Sequence, residues 1–175
     1  RCPEYFSLLR PWSEWQIARE FVKYPQYFGI FQSCNLGSKT NSWCCNCAKC
    51  LYVYILLAAF LDDDVLTGIF GCNMLEKQEL SDMLDGLALR AEALTKQADA
   101  MALDGEDKPF ECVGTKDEVR LSLEMAWERR KSDPPALLKR WRSLFPEYAP
   151  ISLENYFDRD NFVPEEFKYL LGEMQ

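Results

Sequence analysis

The 175-residue chain contains no histidine, and this one absence excludes whole classes of chemistry. Without an imidazole there is no Ser-His-Asp or Cys-His nucleophile pair, no HExxH metalloprotease helix, no two-His-one-carboxylate iron site and no His-ligated haem. Proton transfer must therefore fall to a carboxylate, Lys, Tyr or Cys. Positive charge is also scarce: 20 Lys and Arg against 28 Asp and Glu leave a formal charge of −8. Phosphate neutralisation needs a basic surface, so this balance argues against nucleic acid as a partner. The sequence has no N-x-[ST] sequon and no signal-peptide pattern. Its longest apolar run, Leu51 to Leu61, is well short of the roughly 20 residues of a membrane span. A soluble cytoplasmic protein with no membrane partner is expected.

Cysteine is present, but not at scaffold density. The chain has eight cysteines, of which Cys44, Cys45, Cys47 and Cys50 lie close together. Such clustering points to a metal and a reducing compartment rather than to a disulfide framework. The length suits one domain that buries roughly 70% of its unfolded surface. The chain opens at Arg1, in RCPEYF, with no Met ahead of it, and reads as a fragment of a longer protein.

The dominant period is helical. Ser13 and Gln16 have capping-box spacing ahead of Trp15, Ile17, Phe21 and Val22, so a first helix should run from Ser13 and stop before Pro25. The stretch from Tyr27 to Asn46 is punctuated by Gly, Ser, Asn and Cys and reads as an irregular loop. Leu51 to Leu61 reads as a core helix, apolar nearly all round and closed by Asp62, Asp63 and Asp64. From Glu79 to Leu103 a seam of Leu80, Leu84, Leu87, Ala91, Leu94, Ala98 and Met101 alternates steps of four and three. Alanine at two of these positions packs weakly, which favours an intrachain hairpin over an intermolecular coil. Gly105 to Pro109 breaks the pattern, and Thr115 with Glu118 repeats the capping-box spacing for a helix ending before Pro134. Leu137 to Phe145 and Glu165 to Leu171 read as short helices, and FECVGT is the best strand signal. The expected fold is mainly α, with an N-terminal four-cysteine zinc knuckle and little or no sheet. Residues 1–61 would hold the knuckle and its flanking helices and residues 62–175 a helical segment, together forming one compact unit.

Cys34, Cys44, Cys47 and Cys50 have the spacing C-x9-C-x2-C-x2-C. Two-residue gaps fold consecutive thiolates around one tetrahedral centre, and the long gap supplies a returning arm. Zinc suits four sulfurs, and an iron–sulfur cluster takes the same ligands. Cys45 is the alternative to Cys44, which is preferred because it keeps both intervals at two. Four protein ligands close the site, which assigns it to folding rather than catalysis. Lys39 and Lys49 would offset its charge. Cys2, Cys72 and Cys112 read as buried small hydrophobes.

EYFSLLRPWSEWQIAREF (Glu4 to Phe21), FQSCN (Phe31 to Asn35), SWCCNCAKC (Ser42 to Cys50) and KPFECVGT (Lys108 to Thr115) together resemble the C-terminal part of the bacterial UDP-N-acetylmuramoyl-L-alanyl-L-glutamate epimerases. The resemblance covers about the first three quarters of the chain. The family's cysteine segment usually reads C-G-x-C-P-K-C, whereas Cys45 and Ala48 stand here where Gly and Pro would be. That departure touches the turn geometry more than the ligands. The cysteine pattern is also similar to the zinc motif of deazaguanine-nitrile synthases, which supports zinc over iron–sulfur.

The resemblance implies an isomerase that uses ATP and Mg to invert the terminal L-glutamate of UDP-MurNAc-L-Ala-L-Glu to D-glutamate in peptidoglycan precursor synthesis. It also implies an ATP-binding domain N-terminal to this segment. Gly37-Ser38-Lys39-Thr40 is not a Walker loop, because the spacing of its glycines is wrong. Within KPFECVGT, Lys108 would meet a phosphate or carboxylate, Glu111 or Cys112 would act as base, and the helix start at Thr115 would offer backbone N–H groups to an anion. The bland alternative is a buried strand leading into a capped helix. Arg10 and Arg19 are candidates for substrate carboxylates or else ordinary solvated arginines. The basic stretch Arg129, Arg130, Lys131, Lys139, Arg140 and Arg142 around Trp141 reads as a solvated helix face, with a UDP pyrophosphate or RNA site as the functional alternative. The isolated fragment is expected to be inactive. The competing reading of the whole is a non-catalytic zinc-stabilised helical module attached to a nucleotide-binding domain.

Overall fold

A computed structural model describes residues 5–89 and 113–174. Its helices are α1 (Glu14–Phe21), α2 (Ala48–Ala58), α3 (Asp63–Phe70), α4 (Ser81–Leu89), α5 (Lys116–Arg130) and α6 (Ala136–Leu144). Single 3-10 turns at Pro25–Tyr27, Met74–Glu76 and Gln78–Leu80, and a longer 3-10 segment Glu165–Met174, complete the secondary structure of the described residues. No strand occurs among the described residues.

Both capping boxes form. The Ser13 backbone N–H donates to Gln16 Oε1 at 2.9 Å while the Ser13 hydroxyl accepts from the Gln16 N–H at 3.2 Å. Thr115 and Glu118 repeat this exchange at the head of α5. Each box satisfies orphan donors of a first helical turn, which fixes where its helix begins.

α2 is the centre of the core. Tyr52, Tyr54, Ile55 and Ala58 are fully buried, and the helix packs against α1, α3, α4 and α5. It begins at Ala48 and ends at Ala58, three residues earlier at each end than the apolar run predicted. Asp62 to Asp64 do not close it. Asp62 is the N-cap residue of α3, with Asp63 and Asp64 in that helix's first turn, where negative charge meets the positive end of the dipole. A run of acids reads equally as a stop or a start, and here it starts a helix that Gly71 ends in the left-handed conformation at φ 81.

Leu80, Leu84 and Leu87, the first positions of the seam, are buried in the 3-10 turn before α4 and in α4 itself. The rest of the seam lies outside the described residues, as does the first half of the strand signal FECVGT. The C-terminal segment returns to the N-terminal one: Trp12, Val163 and Leu171 form a second small core with Phe6 and Phe167, whose rings stack at 5.2 Å. Gln16 Nε2 donates to the carbonyls of Glu154 and Tyr156 at 3.1 Å, and the Asp158 N–H donates to the Pro11 carbonyl at 2.8 Å. The predicted helix at Glu165 is a 3-10 segment.

Candidate functional site

The four sulfurs of Cys34, Cys44, Cys47 and Cys50 all lie within 4.8 Å of one another, and Cys44 Sγ stands 3.6 Å from Cys50 Sγ. In a regular tetrahedron with metal–sulfur bonds of about 2.3 Å, the sulfurs stand about 3.8 Å apart, so the donor set and its spacing fit a tetrahedral soft cation. Backbone amides already point at the sulfurs: Gly37 N–H and Cys44 N–H donate to Cys34 Sγ at 3.2 and 3.5 Å, and Cys50 N–H donates to Cys47 Sγ at 3.4 Å. Cys47 is at once a cluster member and the N-cap residue of α2. The positive end of that helix therefore faces the thiol cluster. Burial pushes the Cys34 thiol up, but the Cys44 and Gly37 amides and the neighbouring thiols outweigh it and bring Cys34 down to about 7.

The arm between Cys34 and Cys44 is held by close backbone approach. A Cβ on Gly37 would overlap the Ser42 carbonyl, which itself folds back so that the Ser42 and Thr40 N–H groups both donate to the Gly37 carbonyl at 3.1 Å. The segment that superficially resembles a phosphate loop thus serves the knuckle. Cys45 takes no part in the cluster. Its backbone has φ 52, the conformation a glycine adopts freely, and its Sγ donates to the Phe70 carbonyl at 3.2 Å on the far side of the turn. Burial holds its thiol up, at about 12.

A second convergence joins three of the sequence motifs around Tyr52. Glu118, 4% exposed, accepts from the Glu14 N–H at 2.6 Å and the Trp15 N–H at 3.4 Å through Oε1. Through Oε2 it accepts from the Thr115 N–H at 2.6 Å and the Thr115 hydroxyl at 2.9 Å. One carboxylate therefore caps two helices, α1 and α5. Tyr52 of α2 abuts this node, and a Cβ at Gly114 would overlap both Tyr52 Oη and Glu118 Oε2. Gly114 is required by that close approach. Burial beside Tyr52, reinforced by the Glu118 carboxylate, raises the Glu14 carboxyl above its ordinary range, with the Tyr52 hydroxyl and Lys49 opposing. Burial next to Glu118 and Glu14 likewise raises Tyr52 strongly.

Of the residues singled out by sequence, Thr115 sits at this node as the N-cap of α5. Arg10 pairs with Asp158 at 3.0 Å near the termini. Arg19 lies 5.4 Å over the Trp15 ring and 3.8 Å from Glu20. Lys108, Glu111 and Cys112 lie outside the described residues. In the basic stretch, Arg129 pairs with Asp62, Lys131 with Glu128, Arg140 with Asp85 and Arg142 with Glu124. Arg130 is buried: its Nε meets Asp63 at 2.6 Å, and its guanidinium donates to the carbonyls of Ala58 and Leu61 at 2.8 Å, binding the end of α2 to the start of α3. Sequence reasoning saw Glu118 only as the far half of a capping box and missed its second helix. Nothing in the local pattern marks a contact made across about a hundred residues.

Fold and site together define a class: a helical domain, strandless among its described residues, with a four-cysteine cluster that can hold a metal. Within that class, residues 30–155 match the model of the MurL C-terminal domain, and the chain belongs to that family. It is 34% identical over 158 residues to the UDP-N-acetyl-alpha-D-muramoyl-L-alanyl-L-glutamate epimerase of Xanthomonas oryzae pv. oryzae, covering 86% of this chain and 32% of that protein. Proteins of the same name from Salinispora tropica and a Micromonospora strain are 33% and 30% identical, over 71% and 83% of this chain and 25% and 30% of their own lengths. The chain thus spans about a third or less of the length of the relatives it matches. No solved structure matches it. No helix among the described residues is long and apolar enough to cross a membrane.

Proposed function

We propose that this chain is the C-terminal part of an ATP-dependent epimerase that inverts the terminal L-glutamate of UDP-MurNAc-L-Ala-L-Glu to D-glutamate for peptidoglycan. Family membership carries this reading, supported by three relatives of 30–34% identity that bear the name of that epimerase. The nucleotide and magnesium belong to the portion of the protein outside this segment. Adenylating the glutamate carboxylate turns it into an acyl donor and acidifies the neighbouring α-hydrogen, so a modest base removes that proton and an acid returns it on the other face. With no histidine available, Glu111, Cys112 and Lys108 are the candidates for that work, and Arg10, Arg19 and Thr115 for substrate contacts. Gly114 and Thr115, which follow them in the chain, are held beside Tyr52 and Glu118.

Cys34, Cys44, Cys47 and Cys50 would hold a structural zinc. A cation there neutralises thiolates and pins the arm from residue 34 to the head of α2; four protein ligands leave it no open position for substrate. The deciding experiment supplies UDP-MurNAc-L-Ala-L-Glu, ATP and magnesium to the protein that includes the upstream part, then resolves glutamate enantiomers by chiral chromatography after hydrolysis. D-Glutamate should accumulate only with ATP present. Substrate left unchanged would defeat the proposal.

A further inference from the structure

The second small core carries an apolar surface that lies open. Tyr5, 95% exposed, precedes Phe6, whose ring stacks on Phe167. Phe162, 85% exposed, precedes the buried Val163, and Tyr169, 69% exposed, lies between Phe167 and the buried Leu171 in the 3-10 segment. Leu9 and Phe157 are exposed beside Trp12: the Leu9 carbonyl accepts from the Trp12 N–H at 3.1 Å, and the Phe157 ring stands edge-on to the Trp12 ring at 6.3 Å. Single exposed apolar residues are ordinary, but five on one small core make a patch of the kind that marks an interaction site. Aromatic side chains are enriched in such interfaces. The three buried side chains Trp12, Val163 and Leu171 are also little to offset the entropy of ordering the two chain segments that meet there.

We infer that this patch is the docking surface for the upstream portion of the same protein, an inference that rests on the chain's being the C-terminal part of a longer epimerase. Every side chain of the small core falls outside residues 30–155, the span that matches the C-terminal domain model, and the core draws on both sides of that span. The chain covers 32%, 25% and 30% of its relatives, so the remainder is an occupant of ample size. The tether favours that occupant over a separate molecule. In the longer protein the upstream portion joins this one through Tyr5 and Phe6, inside the patch, and a linked partner meets its surface at an effective concentration on the order of millimolar. Charge disfavours an anionic lipid surface: Asp158, Asp160, Glu165 and Glu166 face Arg10, Arg159 and Lys168, of which Arg10 and Lys168 are taken up by Asp158 and Glu165. Docking here also reaches the candidate reacting segment. The chain runs from the patch into α1, whose Glu14 and Trp15 N–H groups donate to the Glu118 carboxylate that also accepts from Thr115. The ATP-binding portion is thereby set at the head of the helix that Glu118 joins to the end of KPFECVGT.

The test uses the protein that includes the upstream part, with phosphatidylglycerol vesicles present and the photoprobe p-benzoylphenylalanine placed in turn at residues Phe162, Tyr169 and, as an exposed control beside the cysteine cluster, Leu36. On irradiation, the probes at Phe162 and Tyr169 should join upstream peptides of the same chain, identified by tandem mass spectrometry, and the probe at Leu36 should not. Leu9→Glu with Phe162→Glu, read by the probe at Tyr169, should cut that link about 10-fold or more while far-ultraviolet circular dichroism stays unchanged. Links between two copies of the chain would assign the patch to self-association and overturn the inference. Links to lipid, equal yields at all three positions, no link from Phe162 and Tyr169, or a link indifferent to the two charges would overturn it too. The readout needs no turnover: upstream links in a protein that leaves UDP-MurNAc-L-Ala-L-Glu unchanged would keep this inference while defeating the proposed reaction, and turnover without the links would do the reverse.

Discussion

Replacing Glu118 with Ala removes the acceptor of four hydrogen bonds from a site that is 4% exposed. The Glu14 and Thr115 amides, both donating at 2.6 Å, lose their partner. The capping box of α5 loses its reciprocal half. An unsatisfied buried donor costs about 1–3 kcal/mol and a lost cap about 1 kcal/mol. The Trp15 bond, at 3.4 Å, is long enough to add little. Together these give a loss of about 4 kcal/mol, a large share of the roughly 5–15 kcal/mol that holds a domain of this kind. For a chain of this size that is about 8–16 °C in melting temperature. Glu118→Gln keeps one carbonyl oxygen for one helix but turns an NH2 towards the donors of the other, so it should fall about midway. Urea titration of the two variants beside the parent, by far-ultraviolet circular dichroism and tryptophan fluorescence, measures both. A loss below about 1 kcal/mol for Glu118→Ala would show that the two helix starts are satisfied by water and that this carboxylate does not join them.

Metal content by X-ray fluorescence should be about one zinc per chain, and Cys47→Ser should release it and lower the melting temperature by at least about 10 °C, because metal binding at such a site is folding energy. Gly114→Ala should cost about 2 kcal/mol by overpacking against Tyr52 Oη. Tyr52→Phe removes that oxygen, so the double variant should recover about 1 kcal/mol; strict additivity of the two changes would contradict the steric account. Glu14 holds its proton to higher pH in the folded state than its ordinary 4.5. Folded chains therefore bind more protons in a window opening near 4.5, and the contribution of Glu14 is present below that window and lost as pH rises through the folded value. The stability difference between parent and Glu14→Gln should decline with rising pH across it, and a flat or rising difference would mean that burial does not raise the group.

How far the sequence carried the reading depended on the range of the interactions involved. Both helices with capping boxes begin where Ser13 and Thr115 predict, because a cap is made by residues three apart and depends on nothing distant. The four cysteines converge as their spacing predicts, since the loop that joins them is short. By contrast, the ends of α2 were misplaced: hydrophobicity reports burial, and Ala59 and Leu61 are shielded in the turn after the helix as well as residues within it. What closes α2 is Arg130 donating to the Ala58 carbonyl from 72 residues away. The sequence presents that arginine merely as one of a basic run. The Glu118 node escaped for the same reason.

These distant contacts assign distinct jobs to the two ends of α2. At its head, Cys47 caps the helix and contributes a sulfur to the cluster, so a metal bound there would act directly on helix initiation. At its tail, the buried Arg130 guanidinium, carrying its charge among the Ala58 and Leu61 carbonyls and the Asp63 carboxylate, ties the helix to α3. Between them Tyr52 presents its hydroxyl to Gly114 and the Glu118 node. A helix anchored only at its tail could rotate or fray at its head, which would move Tyr52 away from Gly114 and loosen the segment on which KPFECVGT ends. The knuckle removes that freedom. A metal held by this cluster would therefore stiffen a segment that it does not touch, and removing it should expose the Gly114 and Thr115 amides to hydrogen exchange along with the knuckle itself.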